Sequence, residues 1–533
     1  MPVVVTFLLT LASHSPAATS SFTSYPTAQE SLVVEDSATE SVTEQPLLEQ
    51  QAGISHDERL QRAYVHSVGA RYVVQLKLDA AVEVEIQRRR DAGLWVGDVD
   101  VSKEDIQAEL QRQMEMVLAQ DPTVDFWSLM ASQGFTETTF TMELRRNLIA
   151  QRMFFPLDPD QWPVQQIKRI MPQRWQEFLK DDHAKLKELK AEGEMRLLND
   201  ESMKQFLMPD IWKWLLAQCT VQEPSAGLPD GICLKVNDTE FATADTYAMI
   251  EALITDVDRQ WVQTFVQNIE LLEADLKASG HYLSQEDFEA YFAEEKARYN
   301  EFFTHEMLIL QYFGFPSVET YRQYLRVRRS FRNSLPADGT PEYQALLAGI
   351  LEDHNKSYGG GRVKVDVILL SARDPETGQF PAKGNPYEGA KARAEEVVEL
   401  LAMDEPFDQL LLEYSDYKPS LETSSNTSAQ VNRGRFNAVK HAELRGFLLE
   451  SDYTDFLFGY SICDDIFHRS AVGNVYGPFK GPLGYYIYRV DSHRAPRLAV
   501  DLENDSSMSW LVNENLLTAH LLGHLNDLRE PSR

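Results

Sequence analysis

The 533 residues predict an α+β chain: mostly helical first, closing on a small antiparallel sheet and a last helix. Three observations carry this. Strong helix formers with apolar spacing fill most of 56–357, and a turn-rich reset at 221–244 divides them. Two apolar strand patterns, VKVDVILL (363–370) and GPFKGPLGYYIYRV (477–490), then stand at opposite ends of one block, with helical patterns between them.

Bulk properties bound the function classes. The chain is too long for a single core, so three or four domains are expected. Its 82 acidic against 51 basic residues leave a net charge of −31. Such a surface repels phosphate backbones and anionic lipid, which excludes nucleic acid and polybasic membrane docking. There are three cysteines. Cys219 and Cys233 are close enough in sequence for a bridge worth about 3 kcal/mol if the geometry allows it, and Cys463 is left over. No Cys/His metal spacing occurs, and the isolated HxxxH of His520 and His524 lacks the glutamate of a zinc protease, so no metal is expected.

Taken in order, residues 1–17 hold an apolar run, VVVTFLLTLA, followed by small residues. This reads as a signal segment, too short to span a bilayer, and implies an exported, periplasmic or cell-envelope protein; cytoplasmic is the alternative. Residues 18–55 are rich in Ser, Thr, Glu and Gln without a basic residue, and are expected to be a disordered acidic linker. A first helical module spans 56–220, with helices through QAELQRQMEMVLAQ (107–120), TMELRRNLIAQRMFF (141–155) and SMKQFLMPDIWKWLLAQ (202–218). Pro156, Pro159 and Pro163 interrupt it, and 175–198 is charged nearly all round. Residues 221–244 give a linker and a hairpin tipped by Asn237 and Asp238. A second helical module follows at 245–357.

The two modules share signals. Ser102 and Ser284 each precede an Asp three residues on, as in a capping box. Gly134 and Gly314 stand where one helix must end in left-handed geometry before the next begins. The separation of the two signals is nearly the same in both modules, which reads as a duplication.

Residues 358–497 form the α+β domain, entered through Gly359, Gly360 and Gly361. Ala390, Ala394, Val397, Val398 and Leu401 share one helical face, FDQLLLEYSD (407–416) is a second short helix, and a Gly/Pro turn leads into the terminal strand. Residues 498–533 carry an amphipathic C-terminal helix.

The helical modules resemble the N-terminal module of SurA-like periplasmic chaperones, through Val236–Asp238 and through Gly314, Tyr321, Leu325 and Arg326, with Phe140, Leu144 and Arg145 in the first module. In that family a C-terminal helix returns to pack on the helical module. The block 358–497 resembles the parvulin-type (rotamase) peptidyl-prolyl isomerases. It keeps Ile368, Leu369, Phe407, Leu410, Tyr414 and Ser415, then Gly434, Gly473, Val475, Gly477 and Pro478, and last Gly484, Tyr485, Ile487 and Val490.

The resemblance implies cis–trans isomerisation before proline, over a barrier of about 18–20 kcal/mol, with no cofactor. It implies partners that are unfolded or extended polypeptides and proline-containing segments. The family's polar centre is substituted, however. Its two central histidines fall at Val367 and Tyr486, and its Asp/Cys at Tyr417, one position after Asp416. Asp366 cannot replace the first histidine, because adjacent strand residues face opposite ways.

Asp416, Tyr417 and Tyr486 are therefore the candidate catalytic positions, and Phe436, Leu444, Phe447 and Phe467 the candidate substrate-binding ones. Two readings follow. One is an isomerase/chaperone with weak or lost turnover. The other is a non-catalytic structural or assembly protein using the parvulin fold for protein–protein binding.

Overall fold

Short polar side chains decide where the helices begin. In this computed structural model, which describes residues 55–94, 96, 98–155, 201–298, 305–357, 361–374, 378–381, 383–417, 434–494 and 506–529, Ser102 accepts from the Asp105 amide while the Asp105 carboxylate accepts from the Ser102 amide. That reciprocal cap starts helix Lys103–Gln120. Ser284 accepts from the Asp287 amide and starts Gln285–Ala297. The expected leader 1–17, the linker to 54, the three interrupting prolines and the charged run 175–198 lie outside the described residues.

The helical order is the same in both modules. The first runs Ala70–Asp91, Lys103–Gln120, Phe126–Ser132, Glu137–Phe154; the second runs Asp256–Ala278, Gln285–Ala297, a tight turn over 305–312, Val318–Arg332. Gly134 and Gly314 are left-handed, at φ +81° and +72°. Each precedes a hydroxyl cap, Thr136 or Ser317, that accepts from the amide of a threonine three residues on. Buried positions match as well: Ile106 and Leu110 against Phe288 and Phe292, Phe140 and Leu144 against Tyr321 and Leu325.

One core runs across position 220. Tyr64, Tyr72 and Leu76, from helices His56–His66 and Ala70–Asp91, pack with Leu234 and Val236 of a hairpin and with Phe265, Leu272 and Phe315 of the second module. The hairpin pairs β2 (Ile232–Val236) with β3 (Thr239–Ala242) around Asn237, and β1 (Val221–Gln222) lies on its other edge. Cys219 and Cys233 are free thiols. The Cys233 thiol is turned into this core, bonded to the Phe241 carbonyl and the Thr246 hydroxyl, which takes it away from a bridge. The C-terminal helix Ser506–Arg529 adds Leu517, Leu521 and Leu525 to the same core and an Arg328–Glu514 ion pair of 2.6 Å.

The sheet beyond it has four antiparallel strands in the order β5-β4-β7-β6: β4 is Arg362–Ser371, β5 Arg435–Val439, β6 Val475–Gly481 and β7 Gly484–Arg494. Alternation along β4 and β7 gives two apolar faces. Ile368, Leu370 and Ile487 meet helices Pro386–Ala402 and Phe407–Tyr414 through Ala394, Val397 and Leu411. Val398, expected on that contact face, is 37% exposed, because the contact stripe is narrow and runs through Ala390, Ala394 and Val397. The opposite face carries Val363, Val365, Val367 and Leu369, and residues 441–469 cover it with Leu444, Leu448, Ile462, Ile466 and Phe467.

The domain is docked on the helical body. Its helix Asp452–Phe458 sends Tyr453, Phe456 and Leu457 into the helical core. The Tyr453 amide donates to the Phe313 carbonyl at 3.1 Å, and the Asn268 side chain donates to the Phe456 carbonyl at 2.8 Å. Gly314 is forced here twice over: it is left-handed, and a Cβ on it would reach the Ser451 hydroxyl at 2.5 Å. No helix among the described residues is long and apolar enough to cross a membrane.

Candidate functional site

The parvulin resemblance places its reacting groups on the two central strands, and those strands pair in register. Leu369 lies opposite Tyr486, and Val367 opposite Tyr488. Val367 and Tyr486 share the face covered by 441–469. Asp366 points to the other face, as its neighbour's orientation demands, and pairs with Arg489 at 3.1 Å.

What stands on that face is closed packing. Tyr486 is fully buried; its hydroxyl donates to the Leu448 carbonyl at 3.0 Å and accepts from the Leu483 amide at 3.1 Å. Burial, with the neighbouring Tyr417 phenol adding to it, pushes its pKa well above the ordinary tyrosine value. Tyr417 donates to the Phe447 carbonyl at 3.3 Å, and burial likewise pushes its pKa up. Both phenols are thus neutral donors already committed to the segment that covers the sheet.

Asp416 does a different job. Its amide donates to the Leu369 carbonyl, its carboxylate accepts from the Ser371 amide at 2.7 Å, and Arg393 grips both carboxylate oxygens at 2.8 and 3.0 Å. These bonds fasten the end of β4 to helix Pro386–Ala402.

The four expected substrate-binding residues come together, but as core. Phe436 and Leu444 are fully buried, Phe467 is 2% exposed, and Phe447 packs against them from a part-exposed position. Phe436 takes the Tyr417 ring edge-on at 5.6 Å and the Phe447 ring at 5.2 Å. Gly434 lets this strand approach: it is left-handed at φ +87°, and a Cβ there would meet the Val367 carbonyl oxygen at 2.1 Å. A proline ring could enter only by displacing these side chains, each worth about 1.5–3 kcal/mol of burial.

An open site lies elsewhere, at the junction of the two bodies. A cleft of about 380 Å³ is lined by Gln260, Trp261 and Leu271 of helix Asp256–Ala278, by Phe458 and Tyr460, and by Lys480 and Arg529. Its size and aromatic lining suit a short apolar segment. Lys480 donates to the Gln260 side chain at 3.2 Å and sits 4.5 Å from the Tyr387 ring. Arg529 is held by the Asn268 side chain at 2.7 Å and the Leu457 carbonyl at 2.9 Å.

Burial lowers the pKa of both cations; nothing opposes it at Lys480 and only the Tyr460 phenol does at Arg529. In a chain of net charge −31, two cations without a carboxylate partner among the described residues share one cleft. Sequence reasoning missed it. Its residues come from four distant segments, and Lys480 was absorbed into the strand reading of GPFKGPLG.

No protein-family model matches the chain, and no curated protein matches it. Two solved structures of a peptidylprolyl isomerase (PrsA) are similar. The one from Bacillus cereus is 14% identical, with 55% of this chain and 88% of that chain covered, at a TM-score of 0.16. The one from Bacillus anthracis is also 14% identical, with 47% and 91% covered, at 0.17.

Proposed function

We propose that this chain is a folding-factor-type protein that binds extended polypeptide and does not isomerise prolyl bonds, its parvulin-like domain serving as a binding and docking module. One observation supports this above all: the sheet face that would do the chemistry is filled by Val367, Phe436, Phe467 and Tyr486 under the cover of 441–469. The twisted amide of a prolyl bond needs an apolar slot and polar groups free to meet it. Here the slot is occupied and the phenols of Tyr417 and Tyr486 are spent on backbone carbonyls.

In this reading the polypeptide lies in the junction cleft. Its apolar side chains meet Trp261, Leu271 and Phe458, and a carboxylate, from an acidic side chain or the chain end, meets Lys480 and Arg529. The helical modules are a SurA-like duplicated pair, supported by their matched caps, glycines and buried positions. An exported location is part of this proposal, with the apolar run VVVTFLLTLA as its support.

Fluorescence anisotropy with labelled extended peptides tests the proposal on the full chain. An aromatic peptide ending in a free carboxylate should bind, and its C-terminal amide should bind several-fold more weakly. Lys480→Glu should abolish the difference. Equal binding of both peptides, unaffected by Lys480→Glu, would remove the cleft from the account. No peptide binding at all would favour the structural or assembly reading.

A further inference from the structure

Outside the cleft and the filled sheet face, the cover itself holds a cluster of metal-ligating side chains. His441 opens helix His441–Leu448, and Asp464 and His468 lie one helical turn apart on the following turn. The His441 Nε2 and the Asp464 Oδ1 are 2.6 Å apart, and the His468 Nε2 is 3.8 Å from the same oxygen. One ligand atom from each residue lies within 4.8 Å of the others. The imidazoles run nearly parallel, at 28° with centroids 6.3 Å apart, so both ring edges address one carboxylate.

We propose that His441, Asp464 and His468 bind a divalent transition-metal ion, with zinc the best match to two imidazoles and one carboxylate. Tetrahedral zinc with ligands at about 2.0–2.1 Å keeps its donor atoms roughly 3.3 Å apart. The observed separations bracket that value, and the ion takes the place of the His441–Asp464 hydrogen bond. Packing fixes the imidazole side of the site: His441 and His468 are largely buried, whereas the Asp464 side chain is 49% exposed and opens the site to solvent.

Arg445 is turned to Asp452 and Asp455, at 2.9 and 2.7 Å, and does not occupy the ion's place. The Ser357 hydroxyl, at the end of helix Pro341–Ser357, is bonded to this same His468 Nε2 at 2.9 Å and gives way when the ion binds. A bound ion would therefore tie the cover of the sheet together beside the point where the helical body leads into it. The other histidine pair does not compete on geometry: His524 is bonded to Asp275 at 2.9 Å and stacked on Phe331.

Cobalt(II), as the chloride, provides the test on the full chain. The expected result is one equivalent bound, with intense visible d–d bands of a tetrahedral nitrogen/oxygen site, displaced by zinc. His468→Gln should weaken binding roughly tenfold or more, while His520→Gln/His524→Gln should leave the bands unchanged. Circular dichroism of each variant checks that it folds, and wild-type binding decides the matter if His468→Gln does not. The proposal is overturned if wild type binds no cobalt, if the spectrum is that of a hexa-aquo-like ion, or if the bands survive His468→Gln and vanish in the His520/His524 variant.

Discussion

Tyr486→Phe separates a structural from a catalytic phenol. The substitution removes one oxygen and leaves the ring in place. In the folded chain that oxygen serves two backbone groups, accepting from the part-buried Leu483 amide and donating to the buried Leu448 carbonyl. Each bond is worth about 0.5–1.5 kcal/mol net, and a buried group left unpaired costs about 1–3 kcal/mol. The expected loss is thus roughly 2–4 kcal/mol of stability for the domain. Tyr414→Phe is the control: its hydroxyl meets Glu396 at an exposed site, and its loss should cost under about 0.5 kcal/mol. Urea unfolding, with the slope checked for constancy, reads both. A Tyr486→Phe variant as stable as wild type would refute the claim that this hydroxyl holds the cover on the sheet.

Phe456→Ala should cost about 3–5 kcal/mol, because the ring is fully buried where the sheet domain enters the helical core, and hydrogen exchange should rise on both sides of that contact. Asp416→Asn should cost only about 1 kcal/mol in thermal unfolding, since its Arg393 partner is 41% exposed, and should leave peptide binding untouched. Glu319 gives a pH signature. Burial, together with the Glu223 charge beside it, raises its pKa from 4.5 to about 7. The folded chain then keeps a proton that the unfolded chain releases, so this group's contribution is complete below pH 4.5 and is lost as pH rises through about 7. Glu319→Gln should flatten that decline; identical pH profiles from pH 5 to pH 8 by urea unfolding would contradict it.

Local rules carried most of the fold because they concern neighbours in sequence. The serine caps at 102 and 284, the turn at Asn237, the left-handed glycines and the alternation of β4 each follow from a few adjacent residues. The candidate site was legible in a narrower sense. The motif singled out Val367, Tyr486, Phe436 and Phe467, and the sheet packs them in one cluster. It could not say that 441–469, a segment whose helices are short and whose apolar spacing is irregular, would close over them. Nor could spacing show that Tyr453 and Phe456 leave their own domain for the helical core, or that Lys480 and Arg529 meet across 49 residues of chain in a shared cleft. Those are contacts between distant segments, and no periodicity records them.

The central proposal is that the four-stranded sheet domain does not turn over prolyl bonds, and exchange NMR on an aromatic–proline peptide tests it most directly. With the full chain at one-hundredth of the peptide concentration, the account predicts no gain in the cis–trans exchange rate, while stoichiometric protein shifts the peptide resonances. Faster exchange at that catalytic level, abolished by Tyr486→Phe in a folded variant, would mean that the face opens and works, and would contradict the account.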